Sequence, residues 1–405
     1  MAKRALEGIK VVEFAAFAAG PGIGKHLADH GAQVIRVESR SRPDGFRTHY
    51  PPFKDNKPGL NRSGCFSFFN NNKYSVTINL KVPGAVELAK RLVARADIVI
   101  ENMTPGTIGR LGLGYQELIK VKPDLIMLST CNQGQTGPHA SHPGFGSHLS
   151  SLSGFSHFTG YPGKTPLLLY GPYIDFIGEG YGLICILAAL DYRRRTGKGT
   201  FIDCAQYENG VQFLIPAMLH FTVNGKIMER MGNRHPAAAP CGAFPCQGDD
   251  QWCALSVFAD GEWQALRKVM GNPSWALDPK FDTVLGRKKH EDELEEKIAG
   301  WTRLLTREEL MKKLQNVGIR AGIVNTMGGL FSDLQLDHRK FWRGINHAEM
   351  GWHHYKTGSF FLTKTPPEVT MPAPCLGEHN RYVFLEVLGM AETEFEELVS
   401  RGVVE

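Results

Sequence analysis

The sequence predicts an α/β chain whose larger part is a doubly wound parallel sheet and whose smaller part is a second α/β domain. Three features predict it. A strand–helix–strand unit lies near the start, the alternation recurs to about residue 205, and the character changes beyond about residue 225. With 405 residues, 42% hydrophobic and 21% charged, the chain is long enough for one large core and a smaller second one.

Residues 9–14 (IKVVEF) are a short β-rich apolar run, residues 20–30 carry helical spacing closed by Gly31, and residues 33–38 (QVIRVE) read as a second strand. Such a βαβ unit begins a parallel sheet. A second cycle follows, with an amphipathic helix over 85–96, a strand over 97–101 and another over 125–130 after Pro123. Over 176–195 the spacing of Ile177, Tyr181, Ile184, Leu187, Ala188 and Tyr192 predicts a buried helix. It is ended by Thr196-Gly197-Lys198-Gly199 ahead of a strand over 201–205. Then come a Pro/Ala-rich extended segment (233–240), an alternating run (252–257) and charged helices over 262–270, 291–304 and 307–317. A tail from about 340 ends in a final helix over 380–389. The expected organisation is therefore a large domain in 1–224, a small one in 225–330, and a return to the large domain in 331–405.

The formal charge of +5, from 46 Lys plus Arg against 41 Asp plus Glu, is spread along the chain without a basic block. It fits an anionic small ligand better than nucleic acid. Eight cysteines contain no C-x-x-C pair, which points away from a zinc site or disulfide framework and towards a reducing cytoplasm. The first residues lack the apolar core of a signal peptide, and no apolar run approaches the roughly 18 residues of a membrane span. A cytoplasmic protein with no membrane partner is expected.

Several motifs fall short of the chemistry they imitate. Gly20-Pro21-Gly22-Ile23-Gly24, with Glu38 ending the next strand, has the outline of a dinucleotide fingerprint. Lys25 and Leu27 stand where its third glycine is needed, so a tight βα turn is the plainer reading. No G-x-S-x-G elbow occurs, and Ser147 and His148 are neighbours read as facing apart on an extended chain. None of the 15 histidines has the spacing of a metal site. Asp175 stands at an N-cap position ahead of the long helix. Helix-start amides would stabilise its carboxylate, while Tyr173, Ile174 and Phe176 would strip it of water and sharpen it as a nucleophile. A plain helix cap is the alternative. Glu179, one turn along the same face, and Asp203, in a strand, are structural carboxylates or accessory acids.

Certain blocks add a resemblance: residues 6–14 (LEGIKVVEF), Ala19-Gly20-Pro21, residues 27–38, Asn72-Lys73-Tyr74-Ser75 with Asn79-Leu80-Lys81, residues 101–106 (ENMTPG), the T-G-K-G turn and Leu376-Gly377-Glu378-His379. Together they resemble the class III CoA-transferase (CaiB/BaiF) family over nearly the whole chain. The resemblance implies a Rossmann-like large domain, an interlocked dimer, coenzyme A or acyl-CoA as substrate, and no metal. It makes Asp175 the nucleophile, forming a mixed anhydride with the acyl group and then an aspartyl-CoA thioester. It sets Ala18 and Ala19 near the CoA thiol, Ile78, Asn79, Lys81, Asn102, Met103 and Thr104 along the adenosine and phosphates, and Arg110 as a source of positive charge. Phe145 and Gly146 then line the active site. Lys81 and Arg110 suit phosphate contact on physical grounds as well.

Departures narrow the substrate. Formate-specific members resembled here carry a glutamine where Ala18 stands and a glutamate where Gly146 stands, so formate is not the expected acid. Racemase relatives carry a histidine and acid pair where Phe145 and Gly146 stand, and neither residue here can serve as a base. An acyl-CoA racemase on the same fold, or a silent subunit of a heteromeric transferase, are the alternative readings. Phe17, Phe145, Phe155, Phe158, Tyr173 and Phe176 would suit a bulky or aromatic acid such as benzylsuccinate, with a donor of the succinyl-CoA type.

Overall fold

The computed structural model describes residues 4–405. Its initial βαβ unit is β1 (Lys10–Phe14), helix α1 (Ala19–Asp29) and β2 (Gln33–Glu38). The sheet continues with β3 (Lys73–Thr77), a strand beyond those expected from the apolar pattern, then β4 (Ile98–Glu101), β5 (Ile126–Cys131) and β6 (Thr200–Ala205). All neighbours pair in parallel, in the order β3-β2-β1-β4-β5-β6.

Alternation along the strands decides what covers each face. Val11, Val34, Ile98, Ile100, Ile126 and Leu128 point to one side, where Ile23 and Leu27 of α1 and Ile186 and Ala189 of the helix Tyr173–Thr196 pack on them. Val12, Ile35, Val76, Val99 and Met127 point to the other, against Leu88 and Leu92 of the helix Ala85–Val93 and Phe384 and Phe395 near the C-terminus. Both faces are dry, which is why these strands read as nearly continuous apolar runs. Each fully buried aliphatic contributes about 1.5–3 kcal/mol, so this two-sided cover, more than strand propensity, holds the sheet.

Three expectations change. The long helix starts at Tyr173 with Pro172 as its N-cap, so Asp175 lies inside the first turn and is not the cap. That helix is long and apolar enough, by length and composition, to cross a membrane, against the expectation that no apolar run approaches that length. Its inner side packs on the sheet, but Ile184, Leu187 and Tyr192 are exposed, so it is buried on one side only. At the C-terminus the expected helix over 380–389 is a short π-helical turn, Tyr382–Val387, closed by Gly389 at a φ of 70°. The last helix is instead Glu392–Ser400, which opens with Glu392 and Glu394 at its positive end.

The chain divides into two compact units. The larger takes the chain up to Phe155, Leu168–Lys226 and Leu334–Glu405, and includes the hairpin of β10 (Trp342–His347) and β11 (Gly351–Lys356). The smaller takes Ser156–Leu167 and Ile227–Asp333. It is an antiparallel sheet of β7 (Cys241–Pro245), β8 (Trp252–Ser256) and β9 (Arg320–Ile323). The helices Asp260–Val269, Glu291–Thr302 and Arg307–Gln315 bury Trp263, Leu294, Ile298, Leu310 and Leu314 with it.

Candidate active site

In a parallel sheet the loops at the carboxyl ends of the strands gather on one edge, the usual place for ligands in open α/β sheets. Asp175 reaches such a region from the first turn of the long helix. Loss of water, with Glu179 adding like charge, pushes its carboxyl up to about 7. No side chain or amide among the described residues hydrogen-bonds that carboxyl. A Cβ placed on Gly146 would stand 2.8 Å from Asp175 Oδ2 and 2.8 Å from Pro172 Cα, so only glycine lets this backbone lie against the carboxylate. Gly146 itself begins a short helix, Gly146–Leu152, so Ser147 and His148 share a helical turn and are not on an extended chain.

The glycines of α1 have a related purpose. They lie within the helix, not in a βα turn. A Cβ on Gly22 would come within 2.1 Å of Glu179 Oε1, and one on Gly24 within 1.9 Å of Glu13 Oε2. Their absent side chains make room for two buried carboxylates. Glu179 lies 3.5 Å from His26 Nε2, and its Oε1 is buried without a hydrogen-bond partner.

Beside this lies a buried ionic cluster. Arg36 contacts Glu13 at 2.8 Å, Glu38 at 3.2 Å, and Asp44. Lys73 contacts Glu13 at 2.9 Å, and Arg47 contacts Glu38 at 2.9 Å. Burial raises the Glu38 carboxyl, but Arg36 and Arg47 outweigh it and hold the group at about 2. Burial brings the Lys73 ammonium down to about 8 against the pull of Glu13. The cluster was missed in the sequence, although Glu13 and Arg36 stand in register on neighbouring strands. A charge inside each of two apolar runs was the available signal.

Asp44 also accepts the backbone N–H of Phe17 at 3.0 and 3.2 Å. Phe17 holds a φ of 62°, the left-handed region that a bulky residue rarely adopts and that costs about 1–3 kcal/mol. Asn102 pins the preceding residue, accepting from Ala16 N at 2.8 Å and donating to Ala16 O at 2.7 Å. The Phe17 ring meets Phe46, Tyr50 and Phe145 edge to face, with centroids 5.4, 6.0 and 5.8 Å away.

Comparison with known proteins bears on this edge of strained loop, aromatic rings and largely buried carboxylate. The model of CoA-transferase family III matches residues 6–380. The chain belongs to this family. The succinyl-CoA–D-citramalate CoA-transferase of Chloroflexus aurantiacus is 34% identical, over 99% of this chain and 98% of that one. The succinyl-CoA:glutarate CoA-transferase of Mus musculus is 30% identical, over 99% and 90%. A crystal structure of a CAIB/BAIF family protein from Brucella suis matches with a TM-score of 0.87 at 31% identity, covering 95% of this chain and 100% of that one.

The residues expected of a family III transferase to meet coenzyme A follow the strand ends. Ala18 and Ala19, after β1, are buried at the start of α1. Ile78, after β3, is buried, and Asn79 bonds Val403 O through its amide N–H and Glu405 through its side chain. Asn102, Met103 and Thr104 follow β4, with Asn102 committed to Ala16 and Thr104 to Thr107. Lys81 and Arg110 are exposed, and Arg110 donates to Thr107 at 2.8 Å. Phe145, 54% exposed, leads directly into Gly146 and so to Asp175. Asp203 stands apart, its carboxylate accepting from Gln135 N in a loop-holding role.

Proposed function

We propose that this family III transferase moves coenzyme A from a succinyl-CoA type donor to a second carboxylic acid, with Asp175 as the covalent carrier. The observation that carries the reading is a largely buried carboxyl pushed up to about 7, with no cation in contact with it among the described residues, at the carboxyl edge of a parallel sheet. A poorly solvated carboxylate is a stronger nucleophile than one in water.

The cycle balances without water or nucleotide. A carboxylate oxygen of Asp175 attacks the thioester carbonyl, forming a mixed anhydride and expelling CoA thiolate. The thiolate attacks the Asp175 carbonyl, giving an aspartyl-CoA thioester and releasing the donor acid. The acceptor carboxylate then attacks that thioester carbonyl, and the freed thiolate takes the new acyl group, restoring Asp175. Ala18, Ala19, Ile78, Asn79, Lys81, Asn102, Met103, Thr104 and Arg110 are proposed to hold the CoA, with Phe145 and Gly146 at the acyl end.

Relatives named for D-citramalate and glutarate support a small dicarboxylic acid as acceptor. The exposed edges of Phe145 and Tyr173 support a second reading, an aromatic acid of the benzylsuccinate kind. Ile184, Leu187, Phe213, Leu219 and Phe221 leave apolar surface uncovered on one chain, which supports pairing with a second copy or a related subunit, in the interlocked manner the resemblance implies. Relatives named as alpha and beta subunits keep the heteromeric form in view. Eight free thiols suit a reducing cytoplasm.

The test is covalent trapping. Hydroxylamine added after succinyl-CoA converts an acylated or CoA-loaded aspartate to a hydroxamate, and peptide mass spectrometry is expected to find it at residue 175. A loaded, active enzyme with an unmodified Asp175 removes the mechanism.

A further inference from the structure

We propose that Phe17 determines which carboxylic acids the Asp175 site admits, acting as a steric gate on the acyl side of the nucleophile. The inference rests on the reading of Asp175 as the group that carries the acyl chain. Its support is the way the residue is held.

Glycine or asparagine would adopt a φ of 62° with little strain, whereas a phenylalanine there must be held by its surroundings. The surroundings do so at three points. Ala16 is clamped by both polar ends of the Asn102 side chain, and the Phe17 N–H is held by Asp44. Asp44 is fixed in turn by the buried guanidinium of Arg36. The ring is braced by Phe46, Tyr50 and Phe145, which meet it edge to face. It also rests on Gly45, where a Cβ would come within 2.4 Å of the ring carbon Cε1.

The fixed ring lies one aromatic layer from the nucleophile. Phe17 contacts Phe145, Phe145 is followed by Gly146, and the Gly146 backbone lies against Asp175 Oδ2. A braced ring in that layer would discriminate by volume, since a phenyl substituent on the acid would compete for the space the ring fills and a short dicarboxylic acid would not. Over-determined strain at a site edge is a mark of such preorganisation.

The experiment compares kcat/KM for 2-benzylsuccinate and 2-methylsuccinate as acceptors, with succinyl-CoA as donor, in the full-length parent, Phe17→Gly and Phe17→Tyr. The gate predicts that Phe17→Gly raises the benzyl-to-methyl ratio at least about tenfold, while Phe17→Tyr, which keeps the ring, stays within about twofold of the parent. Phe17→Asn, also at ease in left-handed backbone, replaces the glycine variant if the latter does not fold. A ratio unmoved in the folded variant overturns the proposal, as does a parent that already favours the benzyl acid. Hydroxylamine trapping in the same samples separates the two ideas. A hydroxamate at Asp175 with an unmoved ratio defeats the gate alone, and no hydroxamate defeats the reading of Asp175 on which it rests.

Discussion

Two carboxylates in neighbouring regions of the large unit, Glu38 and Asp175, are shifted in opposite directions. In the cluster at β1, β2 and β3, three carboxylates (Glu13, Glu38, Asp44) meet three cations (Arg36, Arg47, Lys73), and Glu38 is held at about 2. On the long helix Asp175 and Glu179 share one face, Glu179 is only 3.5 Å from a histidine, and Asp175 is raised to about 7. Burial disfavours the charged form in both places and raises Asp44 even beside Arg36, whereas Glu38, between the guanidiniums of Arg36 and Arg47, is held below its ordinary range. The first arrangement fixes loops; the second leaves a carboxylate whose charge is costly and whose attack on a carbonyl relieves that cost. Strongly raised acids in a cleft mark functional sites for this reason.

The contrast can be broken by mutation. The largest expected effect is on turnover: Asp175→Ala lowers transferase activity by about a thousandfold or more, measured as CoA exchange between succinyl-CoA and an acceptor acid. Retention of a tenth of parental activity would erase the distinction between the two regions.

Next in size is the paired cluster. Arg36→Met leaves Glu13 and Asp44 buried without their shared cation and is expected to cost about 3–5 kcal/mol in urea unfolding. A loss below about 1 kcal/mol would show that the cluster is wetter than its geometry indicates.

The helix carboxylate should give the opposite sign. A carboxyl that titrates near 7 in the fold and near 4 when unfolded binds its proton more tightly in the native state. Its favourable contribution is therefore full below about pH 4 and is lost as pH rises through about 7. Asp175→Asn is thus expected to be more stable than the parent at pH 8, on the order of 2 kcal/mol after allowance for partial exposure, with the gap closing at pH 4. Equal stabilities at pH 8 would place Asp175 in ordinary water.

The smallest effect sharpens the comparison further. Only the carboxylate form attacks, so the rate of adduct formation should rise with pH through about 7 in the parent. Glu179→Gln removes the like charge beside Asp175 and should move that rise to lower pH. A rise that stays in place would assign the whole shift to loss of water.

Much of this was legible in the residues. The run IKVVEF, the helix after it and QVIRVE lead to β1, α1 and β2 within a residue, because apolar period and a closing glycine are local signals. β3 was not legible: KYSVT carries a lysine and a serine, and their burial depends on distant partners, Glu13 and Asn70 for Lys73 and the Gly377 N–H, which donates to the Ser75 hydroxyl. Asp175 was found by its place before an apolar helix, but its position inside the first turn depended on Tyr173 and Pro172 beginning the helix early. The strain at Phe17 had no sequence signal at all, since positive φ is announced by glycine or asparagine and not by phenylalanine.

By itself the sequence determined the alternation of strand and helix, the two-sided apolar cover of the sheet and the candidate carboxylate, because periodicity and caps act over a few residues. Only the tertiary structure decided which buried charges have partners, which glycines yield space to a carboxylate, and which ring stands over the acyl side. Those properties depend on distances between residues far apart in the chain, and a change of one ångström there separates a paired acid from a reactive one.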